Sequence, residues 1–194
     1  MRYVHLQHDC FEIGLYKVTT LRKQDMLLIK QWRNEQMAVL RQAALLTDED
    51  QLRYYADYVK PSISNKNTQI MLFSYFLNDE LIGYGGLTNI DWVNKRAEIS
   101  YLLDTERSSE ENQEQYSKDF STFLRLMLRI AFDELDIHRL YTETFDIRPL
   151  HIATLQNTGF LLEGRMKDHV YIDGRYVDSL LHGCIKENTK YAKE

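Results

Sequence analysis

The sequence is poor in the residues that mark secreted, metal-binding and membrane-spanning proteins. Only two cysteines, Cys10 and Cys184, occur in 194 residues. Two distant thiols behind an N-terminus without an apolar signal segment predict a reduced, cytoplasmic protein. The six histidines do not pair with cysteines or acids at metal-ligand spacing, so we expect no metal site. No apolar run approaches the roughly 18 residues that span a bilayer, so we expect no membrane association.

Clustered basic residues and prolines are also scarce. The formal net charge is −5 and no basic stripe is visible, which argues against a nucleic-acid partner. Hydrophobic residues make up 44% of the chain and charged residues 27%, a balance typical of a globular domain. Pro61 and Pro149 are the only prolines and predict element boundaries. We predict one domain over residues 1–194, with residues 1–14 as an N-terminal extension.

Hydrophobic periodicity predicts alternating blocks of strand and helix. The predicted strands are 15–21, 69–77, 81–87, 96–103, 139–145, 160–170 and 176–186. The predicted helices are 23–34, 47–61, 118–135 and 149–157. Thr47 and Asp50 fit the start of the helix at 47–61. Pro149 fits the first turn of the helix at 149–157, and Gly159 fits the end of that helix. This order predicts an α/β (α+β) domain with a mixed, mostly antiparallel sheet of about seven strands flanked by about four helices.

The block 81–103 contains the strongest candidates for a site. Gly83, Gly85 and Gly86 leave the first predicted strand with few side chains, which indicates either sheet curvature or a closely approaching ligand. Glu98 is a lone acid in the mostly apolar second strand. It fits either a reactive group in a cleft or an ordinary ion pair with Arg96 or a neighbouring lysine.

Five short strings occur in order along the chain. They are Trp32, Arg33 and Asn34; AEISYLL at 97–103; AFDEL at 131–135 with HRL at 138–140; TGF at 158–160 with EG at 163–164; and DGRYVD at 173–178. Together they resemble the GNAT superfamily of acyl-CoA N-acetyltransferases, in particular the branch that acts on ribosomal proteins, polyamines and amino sugars. The resemblance implies a sheet splayed between its fourth and fifth strands, with acetyl-CoA as co-substrate in the opening.

The resemblance also implies positions that hold the pyrophosphate of CoA. Family members have a glycine-rich loop whose backbone N–H groups bind this anion at the start of the long helix. The corresponding residues here are Gln113, Tyr116, Ser117 and Lys118. Both glycines are missing and acids crowd the loop, so Lys118 is expected to replace part of the lost binding by charge.

Three further positions are assigned to the acetyl donor. A backbone N–H near Leu102 or Leu103 is expected to polarise the thioester carbonyl. Arg148 stands where the family has asparagine. It is expected to reach the pantetheine or phosphate end of the cofactor, with a surface pair to Asp146 as the alternative.

The catalytic candidates are Glu98 and His151. The resemblance implies that Glu98 is the general base. The family's tyrosine that protonates the thiolate falls at about Leu155, so His151 or another tyrosine has to supply that proton. A buried or capped structural histidine is the alternative for His151.

Four residues are candidates for binding the acceptor amine: Trp32, Arg33, Asp91 and Trp92. The two tryptophans are compatible with packing inside the protein as well as with stacking on a sugar. We expect acetyl transfer to a primary amine of a small molecule, with a nucleotide-linked amino sugar as the leading choice. The alternatives are a protein N-terminus and a GNAT fold that binds without turnover. The expected assembly is a monomer or homodimer.

Overall fold

One eight-stranded sheet forms the centre of the computed structural model, which describes residues 1–188. The strands are β1 (Cys10–Ile13), β2 (Tyr16–Thr20), β3 (Met71–Leu77), β4 (Glu80–Asp91), β5 (Arg96–Leu103), β6 (Arg139–Phe145), β7 (Leu161–Ile172) and β8 (Arg175–Ile185). Asn78 and Asp79 turn β3 into β4 with φ of 51° and 68°. Such left-handed pairs suit the twist of a two-residue hairpin, and the predicted turn is confirmed.

The strand order is β1-β2-β3-β4-β5-β6-β8-β7, and every neighbouring pair is antiparallel except β5 and β6. This confirms the predicted mixed, mostly antiparallel sheet, with one strand more than expected. The added strand, β1, lies within residues 1–14, which the sequence set apart as an extension. Gly14, with φ of 59°, forms the turn into β2. The alternation of Phe11 and Ile13 is too short to predict a strand by itself.

The helices are α1 (Met26–Glu35), α2 (Asp48–Tyr54), α3 (Lys60–Ser62), α4 (Gln113–Arg129) and α5 (Pro149–Asn157). One π-helical turn, Tyr55–Val59, joins α2 to α3, and a second, Ile130–Glu134, extends α4. Thr47 and Asp50 form the predicted capping box. None of the helices in residues 1–188 has the length and apolar character required to cross a membrane.

The core consists of two layers on opposite faces of the sheet. On one face, Phe120, Phe123 and Met127 of α4 pack with Leu155 of α5. On the other face, Ile29 and Trp32 of α1 pack with Leu72, Tyr84 and Leu102 of the central strands. Because Leu102 faces one layer and its neighbour Leu103 faces the other, β5 separates the two layers.

The glycines of β4 permit close approach of backbone and ring atoms. A Cβ on Gly85 would lie 2.2 Å from the carbonyl oxygen of Ser100 and 2.8 Å from the ring of Phe123. A Cβ on Gly86 would lie 2.0 Å from the carbonyl oxygen of Met71. Gly85 and Gly86 are therefore explained by the close approach of protein atoms within the sheet and from α4, and no approaching ligand is needed to account for them.

Helix α4 begins at Gln113, so the prediction of a start near Lys118 was wrong. Its first turns are polar, and apolar spacing does not reveal them. They are helical because Asp119, which is fully buried, is tied to other elements. The Asp119 carboxylate accepts hydrogen bonds from Arg107 Nε (2.9 Å), the Tyr16 hydroxyl (2.7 Å) and Gln115 Nε2 (2.6 Å).

We expect Asp119→Asn to lower the free energy of unfolding by about 3 kcal/mol, since removing one charge leaves the buried end of Arg107 uncompensated. Urea denaturation measures this loss. Asp136→Asn is the matched control, because Asp136 is an exposed partner of Lys95 and Lys186. Its unfolding midpoint should match that of the wild type. A loss below about 1 kcal/mol in Asp119→Asn would show that the network contributes little.

Candidate active site

Strands β5 and β6 pair over only three residues and then diverge. The pairs are Arg96 with Arg139, Ala97 with Leu140 and Glu98 with Tyr141. Beyond Glu98 the edge of β5 faces a gap instead of a strand. Gln36 reaches into this region and donates to the Leu103 carbonyl at 2.8 Å. The sheet is thus splayed at the position that the sequence predicted.

The direction of the β5 backbone groups follows from its pairing with β4. The Asp104 N–H bonds to the Ile82 carbonyl of β4 at 2.8 Å. Bonding directions alternate along a strand, so the Leu102 N–H also points to β4, whereas the N–H groups of Tyr101 and Leu103 point into the gap. Of the two predicted oxyanion donors, Leu103 is the one that faces the opening.

A cavity of about 300 Å³ lies at this gap and is lined from both layers of the protein. The α1 side contributes Arg33, Arg41, Asn89 and Glu98; the α4 side contributes Phe120, Arg148, His151 and Leu155; the strands between them contribute Ser100, Tyr101, Thr142, Glu143 and Thr144. The cavity therefore connects the two faces of the sheet through the splayed strands, within the lower range of ligand pockets.

On the α1 side, two carboxylates face one guanidinium. Glu98 is buried, and its Oε1 accepts a hydrogen bond from Arg41 Nη2. Its Oε2 accepts a bond of 2.6 Å from Asn89 Nδ2. Asn89 occupies a bulge of β4 and has φ of 49°. Glu143 of β6 lies across the gap, with Oε2 3.7 Å from Arg41 Nη1. We name Glu98, Glu143 and Asn89 the carboxylate pocket.

On the α4 side, three residues form a hydrogen-bonded chain. Arg148 Nη2 donates to the Tyr116 hydroxyl at 3.0 Å, and that hydroxyl lies 2.7 Å from His151 Nδ1. Since the Tyr116 oxygen accepts from Arg148, we assign its proton to the bond with His151, which leaves the imidazole proton on Nε2. The His151 ring stacks on Phe120 with centroids 4.0 Å apart.

Burial controls the protonation of this chain. It lowers the pKa of His151 well below its usual value, and the charge of Arg148 lowers it further. Burial also raises the pKa of Tyr116, an effect that Arg148 opposes. His151 is therefore neutral at neutral pH, with Nδ1 as acceptor and Nε2 as donor. This geometry joins two residues that the sequence assigned to different roles, because Tyr116 was expected to contact phosphate.

Three polar atoms of cavity-lining residues lack hydrogen-bond partners among the described residues. They are the Tyr101 hydroxyl, the Thr144 Oγ1 and the Glu143 Oε1, all buried. Buried polar atoms without partners are costly, and a bound polar ligand is one way to satisfy them. The hydroxyl groups of Tyr101 and Thr144 are therefore suited to the polar pantetheine and acetyl groups of acetyl-CoA.

The start of α4 fits the CoA phosphates less well than the resemblance implied. Tyr116 is buried and committed to Arg148 and His151. Gln113 and Lys118 are exposed and Ser117 is half-buried. Lys118 lies beside Glu111 and Glu114 in a shallow surface depression. Lys118 thus offers a positive charge on this surface, which it shares with two acids.

The four predicted acceptor residues are not brought together. Arg33 lines the cavity and donates to the Tyr84 hydroxyl at 2.6 Å. Trp32 is buried in the α1 layer. Asp91 accepts bonds from the N–H groups of Val93 and Asn94 in the β4–β5 turn, outside the cavity.

Trp92 also lies outside the cavity. Its Nε1 donates to the Thr68 carbonyl at 2.8 Å, and its ring stacks on His5 with centroids 4.3 Å apart. The packing alternative for the tryptophans fits this geometry better than sugar stacking.

The residues of the cavity that the sequence missed include Arg41, Asn89 and Glu143. Glu143 carries a usable signal, because it is the lone acid of its predicted strand, as Glu98 is of β5. Arg41 and Asn89 belong to no motif. Their roles depend on a loop conformation and a bulge that periodicity does not encode.

Comparisons with known proteins agree with this geometry. The profile of the acetyltransferase (GNAT) domain matches residues 18–181. An uncharacterised N-acetyltransferase, p20, of Bacillus licheniformis is 25% identical over 174 residues, 86% of this chain and 92% of that protein. YdaF of Bacillus subtilis, provisionally named a ribosomal N-acetyltransferase, is 27% identical over 106 residues, 55% of this chain and 54% of that protein. The match to YdaF therefore spans only about half of each protein.

The fold also matches solved structures. The crystal structure of spermidine N-acetyltransferase from Vibrio cholerae in complex with CoA and spermine has a TM-score of 0.78 at 18% identity. That similarity covers 92% of this chain and 99% of the other. The family profile, which spans most of the chain, confirms the resemblance found in the sequence. The chain belongs to the GNAT family of acetyltransferases, enzymes whose co-substrate is acetyl-CoA.

Proposed function

We propose that the protein transfers the acetyl group of acetyl-CoA to a primary amine of a small molecule by direct attack. The observation that carries this proposal is the single cavity that joins the carboxylate pocket to the Arg148–Tyr116–His151 chain. Acetyl transfer requires the amine and the thioester to meet, and a cavity open to both faces of the sheet supports that meeting.

The chemistry assigns one role to each side of the gap. Glu98 removes a proton from the acceptor's ammonium group, which yields the neutral amine. The amine attacks the thioester carbonyl, and the backbone N–H groups of Leu103 and Tyr101 stabilise the charge that develops on its oxygen. The ammonium loses two protons overall, the first to Glu98 and the second to water as the tetrahedral intermediate collapses, and the departing thiol gains one, so one proton per turnover is released to solvent.

The thiolate receives its proton through His151. Its Nε2 proton passes to sulfur while Nδ1 takes the proton of Tyr116, and Arg148 stabilises the resulting phenolate. This relay supports the proposal of His151 as a catalytic residue in place of the tyrosine that the family has at about Leu155. It also assigns Arg148 to the donor side of the cavity.

The acceptor side supports a small cationic amine. Two carboxylates line it, and the segment containing Val39, Leu40 and Arg41 bounds it, which favours a compact molecule over a peptide. The nucleotide-linked amino sugar remains a candidate through the resemblance, with Arg33 available for a phosphate. The polyamine substrate named for the Vibrio cholerae enzyme suits the carboxylates better. The protein N-terminus suggested by the name of YdaF is the second alternative.

Assembly and location remain predictions. The Vibrio cholerae spermidine enzyme has been solved as a dodecamer. For this chain we retain a cytoplasmic monomer or homodimer, and light scattering in solution distinguishes that state from a larger assembly.

The experiment for the function is a thiol-release assay with acetyl-CoA and a panel of polyamines, amino sugars and peptides. We expect turnover with at least one small primary amine and none with peptides. Calorimetry with acetyl-CoA alone belongs to the same test. Absence of binding at millimolar acetyl-CoA would contradict the proposal and favour a binding module, whereas turnover confined to peptides would favour the N-terminal alternative.

Glu98→Gln preserves shape and removes the base, so we expect kcat to fall on the order of 10²–10⁴-fold with the Kd for acetyl-CoA near wild type. The remaining activity should rise with pH, because free amine becomes more abundant. Glu163→Gln is the control, since Glu163 pairs with Arg139 on the same sheet and does not line the cavity. Near-normal turnover of Glu98→Gln at neutral pH would transfer the role to Glu143.

Tyr116→Phe removes the proton that His151 takes up on Nδ1 as it gives its Nε2 proton to sulfur, so we expect kcat to fall about 10²-fold while the Kd for acetyl-CoA changes little. His151→Gln should give a fall of similar size. Tyr75→Phe is the control, because Tyr75 is also buried, its hydroxyl donates to the Asp119 carbonyl at 2.8 Å, and it does not line the cavity. Equal turnover of Tyr116→Phe and wild type would refute the relay.

A further inference from the structure

Arg41 bridges the two acids of the carboxylate pocket from outside. Its Nη2 bonds to Glu98, and its Nη1 lies 3.7 Å from Glu143. The side chains of Glu98 and Glu143 are 4% and 15% exposed, whereas that of Arg41 is 59% exposed. One mostly solvated cation thus contacts two mostly buried anions at the wall of the cavity, and His169 Nε2 lies 3.6 Å from the other oxygen of Glu143, Oε1.

The two partners differ in how firmly they are held. Glu98 and Glu143 project from β5 and β6, and Asn89 fixes the second oxygen of Glu98. Arg41 lies between a short 3₁₀ turn, Met37–Val39, and α2, in a segment without helix or strand. Moving Arg41 breaks no backbone ladder, whereas moving either acid would disrupt the sheet.

We propose that Arg41 occupies the position of the acceptor's ammonium group in the ligand-free enzyme and is displaced when the acceptor binds. The inference rests on the proposed function and identifies the acceptor subsite as the space between Glu98 and Glu143. Buried carboxylates require a counter-charge. Arg41 supplies it in the free enzyme, and the acceptor supplies it in the complex.

Displacement is also required by the chemistry. While Arg41 and Asn89 hold both oxygens of Glu98, neither oxygen faces an incoming amine. An arginine side chain does not give up its proton in a protein and cannot become the nucleophile. Once an ammonium replaces it, one N–H proton moves to Glu98, the neutral amine remains beside the thioester, and Glu143 stays charged.

The opposite role for Arg41 would be a permanent contact to an anionic part of the acceptor, such as a phosphate. The guanidinium instead points at two carboxylates, an arrangement that would repel a phosphate. The two roles make opposite predictions for removal of Arg41, because a displaced group weakens acceptor binding and a contacting group strengthens it.

The experiment compares Arg41→Ala with Arg53→Ala. Arg53 is a matched control, since it is 56% exposed and pairs with Asp50 on α2. We expect Arg41→Ala to lower the KM for the amine acceptor about 3–10-fold, because the competing cation is gone. The KM for acetyl-CoA should stay unchanged, and Arg53→Ala should change neither value. A raised acceptor KM in Arg41→Ala would overturn the proposal.

A second measurement does not depend on turnover. Methylammonium chloride should raise the Tm of Arg41→Ala more than that of wild type at equal ionic strength, because it fills the vacated position. Arg41→Ala/Glu143→Gln should lose this difference. Equal shifts in wild type and Arg41→Ala would overturn the inference even if the enzyme acetylates amines. If no amine is acetylated in the thiol-release assay, that result counts against the proposed function and not against the position assigned to Arg41. Arg41→Gln serves if the alanine variant does not fold.

Discussion

The site depends on one constraint, the end of pairing between β5 and β6 after Glu98. A strand edge in the interior must satisfy its N–H and carbonyl groups in some way. Here Gln36 bonds to the Leu103 carbonyl, and the N–H groups of Tyr101 and Leu103 are left facing a cavity. The same divergence removes the barrier between the two layers. In the proposed mechanism, the N–H donors for the thioester and the passage between acceptor and cofactor are thus consequences of a single break in the sheet.

Two buried acids with arginine partners illustrate how similar ion pairs serve different purposes. Asp119 is bound by both Nε and Nη2 of Arg107, together with Tyr16 and Gln115, so its charge is fully engaged within the fold. Glu98 has a single arginine contact from a loop side chain that is 59% exposed, plus Asn89. Because the first pair is enclosed and the second opens to a cavity, the first stabilises α4 and the second suits the exchange with a ligand that we propose.

Most elements follow from local sequence, whereas the complete site does not. Periodicity predicted β5 and β6 with their observed ends, and Pro149 and Gly159 bounded α5. It missed β1, which is too short, and the polar first turns of α4, which are helical through tertiary bonds to Asp119. Glu98 stood out as a lone acid in an apolar strand. Its partner Arg41 carries no such signal, because it is distant in sequence and is brought there by an irregular segment.

The unusual start of α4 bears on affinity more than on rate. Phosphate contacts distant from the thioester bind the ground state and the transition state equally, so their loss raises KM and leaves kcat nearly unchanged. The groups that meet the reacting atoms in the proposed mechanism are Leu103, His151 and Glu98, and none of them belongs to that loop. A chain can therefore lack the family's glycines in the segment from Gln113 to Lys118 and still carry out acetyl transfer. The condition is that the cellular concentration of acetyl-CoA exceeds the raised KM.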